Sequence, residues 1–488
     1  MTSEGNEYRE QRLHHLRELE KRGHRPFGQA FERSGRMDQI RVLFAEGGQI
    51  RIAGRIVAWR DMGKSIFAHL QDATGKFQVY FKKDAIGEAA FEDCKQLDLG
   101  DFIGVCGEFF TTRTGEPTAK ATSWTLLSKA LQQPPEKWHG LQDAELRYRR
   151  RYLDLVASPD VCLRFRQRSE IISWIRAFLA GRGFQEVETP MMQPLAGGAA
   201  ARPFQTYYNA LSMNMFLRIA PELYLKRLLI GGLDKIYELN RNFRNEGLDR
   251  SHNPEFSMLE IYEAFGDRHS MQRLIVELIT GIARSVLGTL TVGTREHPID
   301  LTPPWREATY SDLIVERAGA DWISLDLAAA RTRIASLGLS VDPDADKLLL
   351  GHEIYEKLVE KSLIQPTFVT RLPARLIPLA KACDDDPAAS DVFELVIDGK
   401  EIAPAYTELN DPIEQRRRLI EQCGSDSSAL DEDFLEAMEH GMPPAGGMGI
   451  GIDRLIMILT GAESIRDVIL FPQLKTMECA NNDEEAAK

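Results

Sequence analysis

The segment KIYELNRNFRNEGLDRSHNPEFSMLEIYEAF, from residue 235, combines acids, aromatic rings and an arginine at spacings that suit a binding site. It is predicted to fold as a strand, a charged loop and a second strand. Because side chains alternate along a strand, one face of the second strand carries three side chains that can bind a ligand, those of Phe256, Glu260 and Tyr262. Arg244 and Glu246 are likewise two residues apart at the end of the first strand. The pattern suits a pocket for a nucleotide and an amine, or an exposed hairpin held by ion pairs.

The segment VFELVIDGKEIAPAY contains a second hairpin, with Asp398-Gly399 as a two-residue type I′ turn between two alternating apolar runs. In the register of such a turn Glu394 faces Ala403, and Glu394 and Glu401 are diagonal neighbours on one face, about 7–8 Å apart. Long acidic side chains at that separation can converge on a hard cation such as Mg²⁺ that also holds phosphates. The alternative is that both acids are simply solvated.

The segment PPAGGMGIGIDRLIMILTG carries glycines at positions 446, 447, 449 and 451, followed by an apolar helix whose first turn contains Arg454. Glycines allow a backbone to approach a ligand closely. The segment lacks the GxxxxGK[ST] spacing of a phosphate-binding P-loop and the GxGxxG spacing of a dinucleotide fold. It predicts either a glycine strand along a ligand or a glycine strand packed tightly against its own helix.

The regular elements around these segments change character along the chain. Residues 49–128 contain about five short strands separated by glycine-containing turns, which predicts a small β-barrel. The polar stretch LQQPPEKWHG at 131–140 is predicted to be a linker, and the basic run RYRRRYLDL after it either binds RNA or forms a solvated helix. A long amphipathic helix at 161–182 precedes the strand FQEVETP, and no regular βαβ alternation follows. We therefore predict an α+β protein, with a first domain at 1–145 and a second domain on an antiparallel sheet at 146–488.

The composition limits the classes of protein to which the chain can belong. It has 488 residues, 43% of them hydrophobic and 27% charged, and a net charge of −13. Basic residues slightly outnumber acidic ones in the first 150 residues, so a local RNA-binding patch is compatible with the acidic whole. The six cysteines are scattered without a CxxC pair, which argues against a zinc site and a disulfide framework and fits a cytoplasmic protein. No stretch comes close to the run of about 18 apolar residues that a membrane-spanning helix needs.

Three segments taken together are far more specific than any one of them alone. RGFQEVETPMM, FRNEGLDRSHNPEFSMLEIY and GIGIDRLIMIL occur in the order of the three signature motifs of class II aminoacyl-tRNA synthetases, which the chain resembles. GGAAARPF, LRIAPELYLKRL, AYTELNDP and DVILFP make it similar to the lysyl-tRNA synthetases of this class in particular. The resemblance extends from about residue 10 to residue 475, which is nearly the whole chain.

The resemblance implies an N-terminal OB-fold that binds the tRNA anticodon, followed by a catalytic domain on a six- or seven-stranded antiparallel sheet flanked by helices. It also implies a homodimer with the helix and strand around FQEVETP at the interface. The implied reaction uses ATP and Mg²⁺ to convert L-lysine into lysyl-adenylate, and then transfers the lysyl group to the 3′ end of tRNA(Lys). Such an enzyme is expected to act in the cytoplasm and away from membranes.

The resemblance also implies roles for individual residues. Arg244 matches the motif 2 arginine between the α-phosphate and the amino-acid carboxylate, and Arg454 matches the motif 3 arginine at the γ-phosphate. With Glu246, these two form the catalytic set. The ATP-binding positions are Arg244, Glu246, His252, Asn253, Phe256, Glu394, Glu401 and Arg454. Within them Phe256 stacks on adenine, and Glu394 and Glu401 match the carboxylates that hold magnesium.

The implied lysine-binding positions are Gly198, Glu222, Glu260, Tyr262, Tyr406 and Glu408. Acids suit an ε-ammonium, whose burial demands a counter-charge. A pocket for aspartate would need a cation at its base, and the sequence offers none at these positions. In the barrel, Phe67, Gln78 and Glu116 match positions that stack on or hydrogen-bond the anticodon uridines. The alternative for Phe67 is a residue of the barrel core.

Three other functions stay open at this point. They are an aspartyl- or asparaginyl-specific enzyme of the same architecture, an RNA-binding or regulatory protein without catalysis, and a paralogue that lysylates a protein. The joint presence of the arginines and the paired acids argues against lost catalysis, and the barrel argues against the paralogue. Pro404 stands where the family usually has an asparagine that hydrogen-bonds lysine. Because proline has no polar side chain and no N–H, we expect one missing contact and weaker lysine binding.

Overall fold

The computed structural model describes residues 3–134, 143–294, 296–423 and 430–475. The chain divides into two compact units, Met1–Cys162 and Leu163–Lys488. Most of the predicted linker at 131–140 lies outside the described residues. The division predicted at residue 145 stays a prediction, and the first compact unit extends beyond it to Cys162 and includes the short helices Ala144–Arg149 and Arg151–Ala157. Within the described ranges, no helix is long and apolar enough to cross a membrane.

The first unit is built around a five-stranded barrel. Its strands are β1 (Gln49–Asp61), β2 (Ser65–Asp72), β3 (Gly75–Lys82), β4 (Phe102–Thr111) and β5 (Pro117–Ser128), and its helices are α1 (Ser3–Lys21), α2 (Met37–Val42), α3 (Lys83–Ile86), α4 (Glu88–Cys94), α5 (Ala144–Arg149) and α6 (Arg151–Ala157). The strands close in the order β1–β2–β3–β5–β4, so the predicted barrel is confirmed. Alternate residues such as Ile66 and Ala68 are fully buried in the barrel core.

The basic run RYRRRYLDL forms the helices α5 and α6, as one of its two alternatives predicted. It is not uniformly solvated, however. Arg151 is fully buried, and its guanidinium lies 2.6 Å from the carboxylate of Asp154. Arg147 contacts the same carboxylate at 3.0 Å. Asp154 therefore compensates part of this basic charge inside the fold.

The second unit contains the sheet that carries the candidate site. Its helices are α7 (Pro159–Ala180, which begins in the first unit), α8 (Glu222–Ile230), α9 (Arg268–Ile282), α10 (Tyr310–Ala318), α11 (Leu327–Ser336), α12 (Lys347–Ile354), α13 (Pro412–Cys423), α14 (Glu432–Glu439) and α15 (Ile452–Thr460). Its strands are β6 (Gln185–Glu186), β7 (Met192–Gln193), β8 (Gln205–Tyr208), β9 (Met213–Leu217), β10 (Lys235–Phe243), β11 (Glu255–Ala264), β12 (Thr291–Gly293), β13 (Pro298–Asp300), β14 (Arg306–Thr309), β15 (Thr367–Thr370), β16 (Val392–Ile397), β17 (Lys400–Thr407) and β18 (Ala445–Gly451). Shorter helical turns lie at Ala283–Leu287, Trp322–Ser324, Tyr355–Val359, Glu360–Ser362, Ala374–Leu376 and Ile465–Asp467.

The main sheet is antiparallel in its centre and parallel at both edges. Eight strands follow the order β14–β15–β16–β17–β18–β11–β10–β6. The six strands from β15 to β10 pair antiparallel, as predicted, whereas β14 pairs parallel to β15 and β6 parallel to β10. Parallel neighbours need long crossover connections, and both edge pairs have them. Helices α10–α12 separate β14 from β15, and the small sheet β7–β9–β8 with α8 separates β6 from β10.

One face of this sheet is covered by the largest apolar core. Helix α7 contributes Ile171, Ile175 and Leu179, all fully buried, which confirms the amphipathic pattern predicted there. Leu259 and Ile261 of β11 belong to the same core. Because strand residues alternate, Phe256, Glu260 and Tyr262 lie on the opposite face, as the sequence predicted.

The hairpin of β16 and β17 departs from its predicted register. Asp398 and Gly399 both have positive φ, 56° and 64°, which confirms the type I′ turn. Near the turn Val396 faces Glu401 as expected, but the register then shifts by one residue, and Glu394 faces Pro404 instead of Ala403. A turn fixes the pairing only next to itself, and a bulge further along leaves no signal in two alternating runs.

Candidate active site

A cavity of about 330 Å³ lies on the open face of the sheet, beside β11, β17 and β18. It brings together the residues predicted for the second unit, with one exception. The lining includes Gly198, Glu222, Arg244, Glu246, His252, Asn253, Phe256, Glu260, Tyr262, Glu401, Tyr406, Glu408 and Arg454. The exception is Glu394, which is not among the lining residues but pairs in the sheet with Pro404, which is. Residues distant in sequence therefore share one site.

Two arginines and an aromatic ring occupy one part of the cavity. The Arg244 guanidinium carbon lies 5.2 Å from the centre of the Phe256 ring, and Arg244 Nε has no hydrogen-bond partner. Arg454 donates one hydrogen bond to the backbone oxygen of Glu401 and another to His252 Nε2, each 3.0 Å long. This part can therefore bind anionic groups next to a flat ring.

His252 is held in one tautomer by its two partners. Because arginine can only donate, His252 Nε2 must accept from Arg454, so the ring proton sits on Nδ1. Nδ1 then donates to Asp249 Oδ2 at 2.8 Å. Glu246 is exposed, whereas Asn253 is buried and its side-chain amide donates to the backbone oxygen of Glu255. The loop thus orients Arg454 through a neutral imidazole.

The acids of the β16–β17 hairpin form a second part of the site. Tyr355 donates a hydrogen bond of 3.0 Å to Glu394 Oε2, and Glu360 Oε1 accepts one of 2.9 Å from the backbone N–H of Glu401. Burial and the charge of Glu401 raise the pKa of Glu394 well above its usual range. Burial likewise raises the pKa of Glu360. The structure shows no ion pair to these three acids from any described basic residue.

These acids alone would supply only some of the ligands that a divalent cation needs. The described residues contain no group of three or more His, Cys, Asp and Glu side chains arranged to hold a metal ion. Burial and the charge of Glu401 raise the pKa of Glu394, and no described basic residue forms an ion pair with either acid. Two such carboxylates are nevertheless suitable oxygen ligands for Mg²⁺. The remaining ligands would come from phosphate oxygens or water.

The far end of the cavity is acidic and buried. Glu222, Glu260 and Glu408 are exposed by only 7%, 5% and 1%. Tyr262 donates to Glu260 Oε2 at 3.2 Å. Burial and the charge of Glu222 raise the pKa of Glu260 to about 8. Burial also raises the pKa of Glu408 to about 7, although a neighbouring lysine acts in the opposite direction.

That lysine, Lys226, contradicts the expectation that no cation lies at the base of this pocket. It is fully buried, and its ammonium lies 2.7 Å from Glu222 Oε1 and 2.5 Å from Glu408 Oε2. Part of the signal was present in the sequence, since Glu222 and Lys226 are four residues apart, which is the spacing of neighbours on a helix, and the structure places both on α8. The ammonium serves two acids, however, so the pocket stays acidic.

The side chains that face β18 across the site leave room only for glycine at two positions of this strand. A Cβ on Gly447 would overlap Glu408 Oε1 and approach the Tyr262 ring to 2.5 Å. On Gly449 it would lie 2.6 Å from the Met258 methyl. Glycine thus lets the acids and rings of the pocket close over β18, and Arg454 follows in the first turn of α15. The strand is tightly packed, but against side chains across the site and not against its own helix, and a ligand along it stays a prediction.

Comparison with known proteins identifies the family to which the chain belongs. A family model described as tRNA synthetases class II (D, K and N) matches residues 143–475. The chain belongs to this family. A lysine–tRNA ligase of Syntrophomonas wolfei is 50% identical to this synthetase over 479 residues, which cover 96% of this chain and 97% of the relative. Lysine–tRNA ligases of Pelotomaculum thermopropionicum (49% identical, 97% and 96% covered) and Moorella thermoacetica (48% identical, 96% and 97% covered) are similar throughout.

The barrel of this synthetase matches a second family model, the OB-fold nucleic acid binding domain, over residues 50–127. Phe67 is half-buried on the outer face, between the buried Ile66 and Ala68, so it is not a core residue. Its ring lies 4.7 Å from that of Tyr80. Gln78 lies on the same face and accepts a hydrogen bond from Thr118, whereas Glu116 is exposed at the turn before β5.

Pro404 lies in the cavity wall of this synthetase. The pairing of β17 with β18 covers Ala405, Tyr406 and Thr407 and does not include Pro404. A residue without an N–H is tolerated in a central strand only where the ladder is interrupted, and both the bulge and the cavity interrupt it here. The missing N–H of Pro404 therefore interrupts no pairing between β17 and β18.

Sequence reasoning missed two more residues that hold the site of this synthetase in place. Asp453 accepts a hydrogen bond of 2.7 Å from the backbone N–H of Ser257 and pairs with Arg168 at 2.6 Å, so it joins α15, β11 and α7. Tyr355 comes from the helical region after β14, in which the sequence showed few residues typical of a site. Neither has a local pattern that would mark it, because its partners are distant in sequence.

Proposed function

We propose that the chain activates L-lysine with ATP to form lysyl-adenylate and then transfers the lysyl group to the 3′ end of tRNA(Lys). The observation that carries the proposal is the placement of the buried acids Glu222, Glu260 and Glu408 in the same cavity as two arginines. A buried acidic pocket suits an amino acid whose side chain ends in an ammonium. The lysine–tRNA ligases that are similar along nearly the whole chain support the same substrate.

In the first step a lysine carboxylate oxygen attacks the α-phosphorus of ATP, and the bond from that phosphorus to the bridging oxygen of pyrophosphate breaks. No covalent nucleophile of the enzyme is needed, because the reaction depends on alignment and on charge stabilisation. Arg244 would contact the α-phosphate and the carboxylate, with adenine stacked on Phe256. Arg454, oriented by Glu401 and His252, would bind the γ-phosphate.

Glu394 and Glu401 would hold Mg²⁺ together with phosphate oxygens of ATP. When bound, the ion neutralises phosphate charge and supports in-line geometry. Two features support this assignment. Together with burial, the charge of Glu401 raises the pKa of Glu394, and no described basic side chain pairs with either carboxylate. Chelation of divalent ions is therefore expected to abolish activation.

ATP–pyrophosphate exchange with single amino acids tests the first step. We expect exchange with L-lysine and none with L-aspartate or L-asparagine, and Arg244→Ala should abolish it. Exchange with aspartate or asparagine alone would instead support the sibling specificities that the family model also covers. Absence of exchange with all three, in protein that still binds RNA, would support a non-catalytic role.

For the second step we propose that the barrel binds the anticodon through Phe67, Gln78 and Glu116. The support is a face on which Phe67 and Gln78 lie half-buried near further aromatic rings, as single-stranded RNA recognition requires. Charging of a tRNA(Lys) transcript tests this step. A transcript with its anticodon uridines replaced is the matched substrate, and equal charging of both would contradict a role of the barrel in recognition.

The remaining parts of the proposal concern the assembly. We propose a first domain for anticodon binding at 1–145, a catalytic domain at 146–488 and a homodimer that acts in the cytoplasm. Exposed apolar side chains on and beside the small sheet β7–β9–β8, just after FQEVETP, support the dimer: Met191, Met192, Tyr207, Tyr208 and Leu211. Analytical ultracentrifugation tests it directly.

A further inference from the structure

Lys226 stands at the acidic end of the cavity without a role in the reaction proposed above. It has no exposed surface and does not line the cavity, so it cannot touch a substrate there. Its ammonium lies 2.7 Å from Glu222 Oε1, 2.5 Å from Glu408 Oε2 and 3.4 Å from the backbone oxygen of Leu379. Glu222 Oε1 and the Leu379 backbone oxygen accept hydrogen bonds from this ammonium, whereas Glu408 Oε2 is held by the ion pair alone. Any effect on a substrate must pass through the two acids.

The contact with Lys226 leaves one oxygen of Glu408 available to a ligand. Glu408 Oε1 has no hydrogen-bond partner, although the side chain is almost completely buried. This oxygen lies against Gly447 on the cavity wall, where only a glycine leaves room for it. Buried polar atoms are normally satisfied, so an unpaired carboxylate oxygen at a cavity indicates a missing donor. Lys226 fixes the other oxygen and so orients this one.

Lys226 also sets the charge of the pocket. Once a bound ammonium group has favoured ionisation of all three carboxylates, the single charge of Lys226 leaves two negative charges at this end. L-lysine carries two ammonium groups, and its carboxylate belongs with Arg244. Without Lys226 the pocket would hold one negative charge too many, and one of its acids would have to take up a proton.

We infer that Lys226 is a positioning and specificity residue for the amino acid: its ammonium orients Glu222 and Glu408 and limits the pocket to two negative charges, which match an amino acid with two ammonium groups. The inference rests on the proposed use of lysine. The ionisable side chains that face this end of the cavity together with the two acids are Glu260, Tyr262, Tyr406 and Arg244.

The chain offers a matched control for a merely structural role. Lys129 is another buried lysine held by two carboxylates, those of Asp98 and Asp101, but it lies in the barrel unit. Lys226→Met and Lys129→Met remove the same ammonium and keep a side chain of similar length. If Lys226 only stabilises the fold, the two variants should differ little in their effect on catalysis.

We expect Lys226→Met to raise the KM for lysine in pyrophosphate exchange by about 10-fold or more, because breaking a buried ion pair leaves charge uncompensated. The KM for ATP should stay within about 2-fold, and Lys129→Met should change neither constant by more than that. An unchanged lysine KM in Lys226→Met, or a KM for ATP raised by the same factor as that for lysine, would overturn the inference.

Competition experiments on the unmodified protein test the charge match without any substitution. L-norleucine lacks the ε-ammonium and 6-aminohexanoate lacks the α-ammonium, and each should inhibit exchange with an apparent affinity about 100-fold below that of lysine. An affinity of either compound close to that of lysine would contradict the two-charge match, even if Lys226→Met failed to fold. Failure of the proposed function would look different, because the unmodified protein would then show no lysine-dependent exchange.

Discussion

At the residue scale, Glu260 and Glu408 determine what the cavity can bind, because both are acids whose buried surroundings oppose ionisation. Burial, with the nearby Glu222 charge, raises the pKa of Glu260 to about 8, and burial raises that of Glu408 to about 7. Near neutral pH the empty pocket therefore holds protons. A substrate ammonium favours the ionised acids, so binding must release part of those protons.

We therefore expect lysine to bind more tightly as the pH rises from about 6 to about 7.5, below the range in which an α-ammonium group loses its proton. At about pH 7 binding should release roughly one proton per lysine. Calorimetry in two buffers of different ionisation enthalpy measures this release, with binding of an ATP analogue as the control. A binding enthalpy that is independent of the buffer would show that the acids are already ionised in the empty pocket.

Pro404 stands where the resemblance to lysyl-tRNA synthetases implies an asparagine that hydrogen-bonds lysine. Replacement by asparagine adds a polar side chain to the cavity wall, and one additional hydrogen bond is worth about 0.5–1.5 kcal/mol. We expect Pro404→Asn to lower the KM for lysine by about 2- to 10-fold. Pro404→Ala is the control, since it restores the N–H without adding an amide. If the KM stays the same in both variants, the position makes no contact with lysine.

At the element scale, the hairpin of β16 and β17 depends on a helical segment that the sequence did not connect to it. The segment Tyr355–Ser362 contacts one acid on each strand, through Tyr355 to Glu394 and through Glu360 to the backbone of Glu401. The backbone N–H groups of the turn, at Asp398 and Gly399, donate to the two residues that follow this segment. The helical region after β14 therefore supports the proposed magnesium site.

Tyr355→Phe removes one hydroxyl group from this support. A residue that orients a metal ligand contributes about 10-fold to metal affinity, so we expect a loss of this order for Mn²⁺ binding in the presence of ATP. Electron paramagnetic resonance measures the free Mn²⁺. Tyr310→Phe is the matched control, because the Tyr310 ring lies 5.0 Å from that of Tyr355 and its hydroxyl has no partner. Equal affinities in the two variants would contradict a role of the Tyr355 hydroxyl.

The same elements show how far sequence reasoning reaches. Alternation along β11 and the Asp-Gly turn are local patterns, so the sequence predicted correctly that Phe256, Glu260 and Tyr262 share a face. The shift that places Glu394 opposite Pro404 depends on pairing beyond the turn, and the parallel edges of the sheet depend on long crossovers. The pairing of Lys226 with Glu222 could have been inferred from their spacing, but its second partner, Glu408, is distant in sequence. Features that depend on contacts between residues distant in sequence could be recognised only in the structure.

At the scale of the whole molecule, the two units carry separable parts of the proposed reaction: activation needs only the cavity, whereas charging also needs the barrel. Phe67→Ala should leave lysine-dependent exchange unchanged and raise the KM for tRNA(Lys) by about 5- to 100-fold, since one stacked base contributes about 1–3 kcal/mol. Phe102→Ala is the control, because Phe102 is also an exposed barrel residue, with its ring covered by Arg55 at 4.3 Å. If Phe67→Ala slowed exchange as well, the two steps would not be separable by unit. If both variants charged tRNA(Lys) normally, the face around Phe67 would not be the anticodon site.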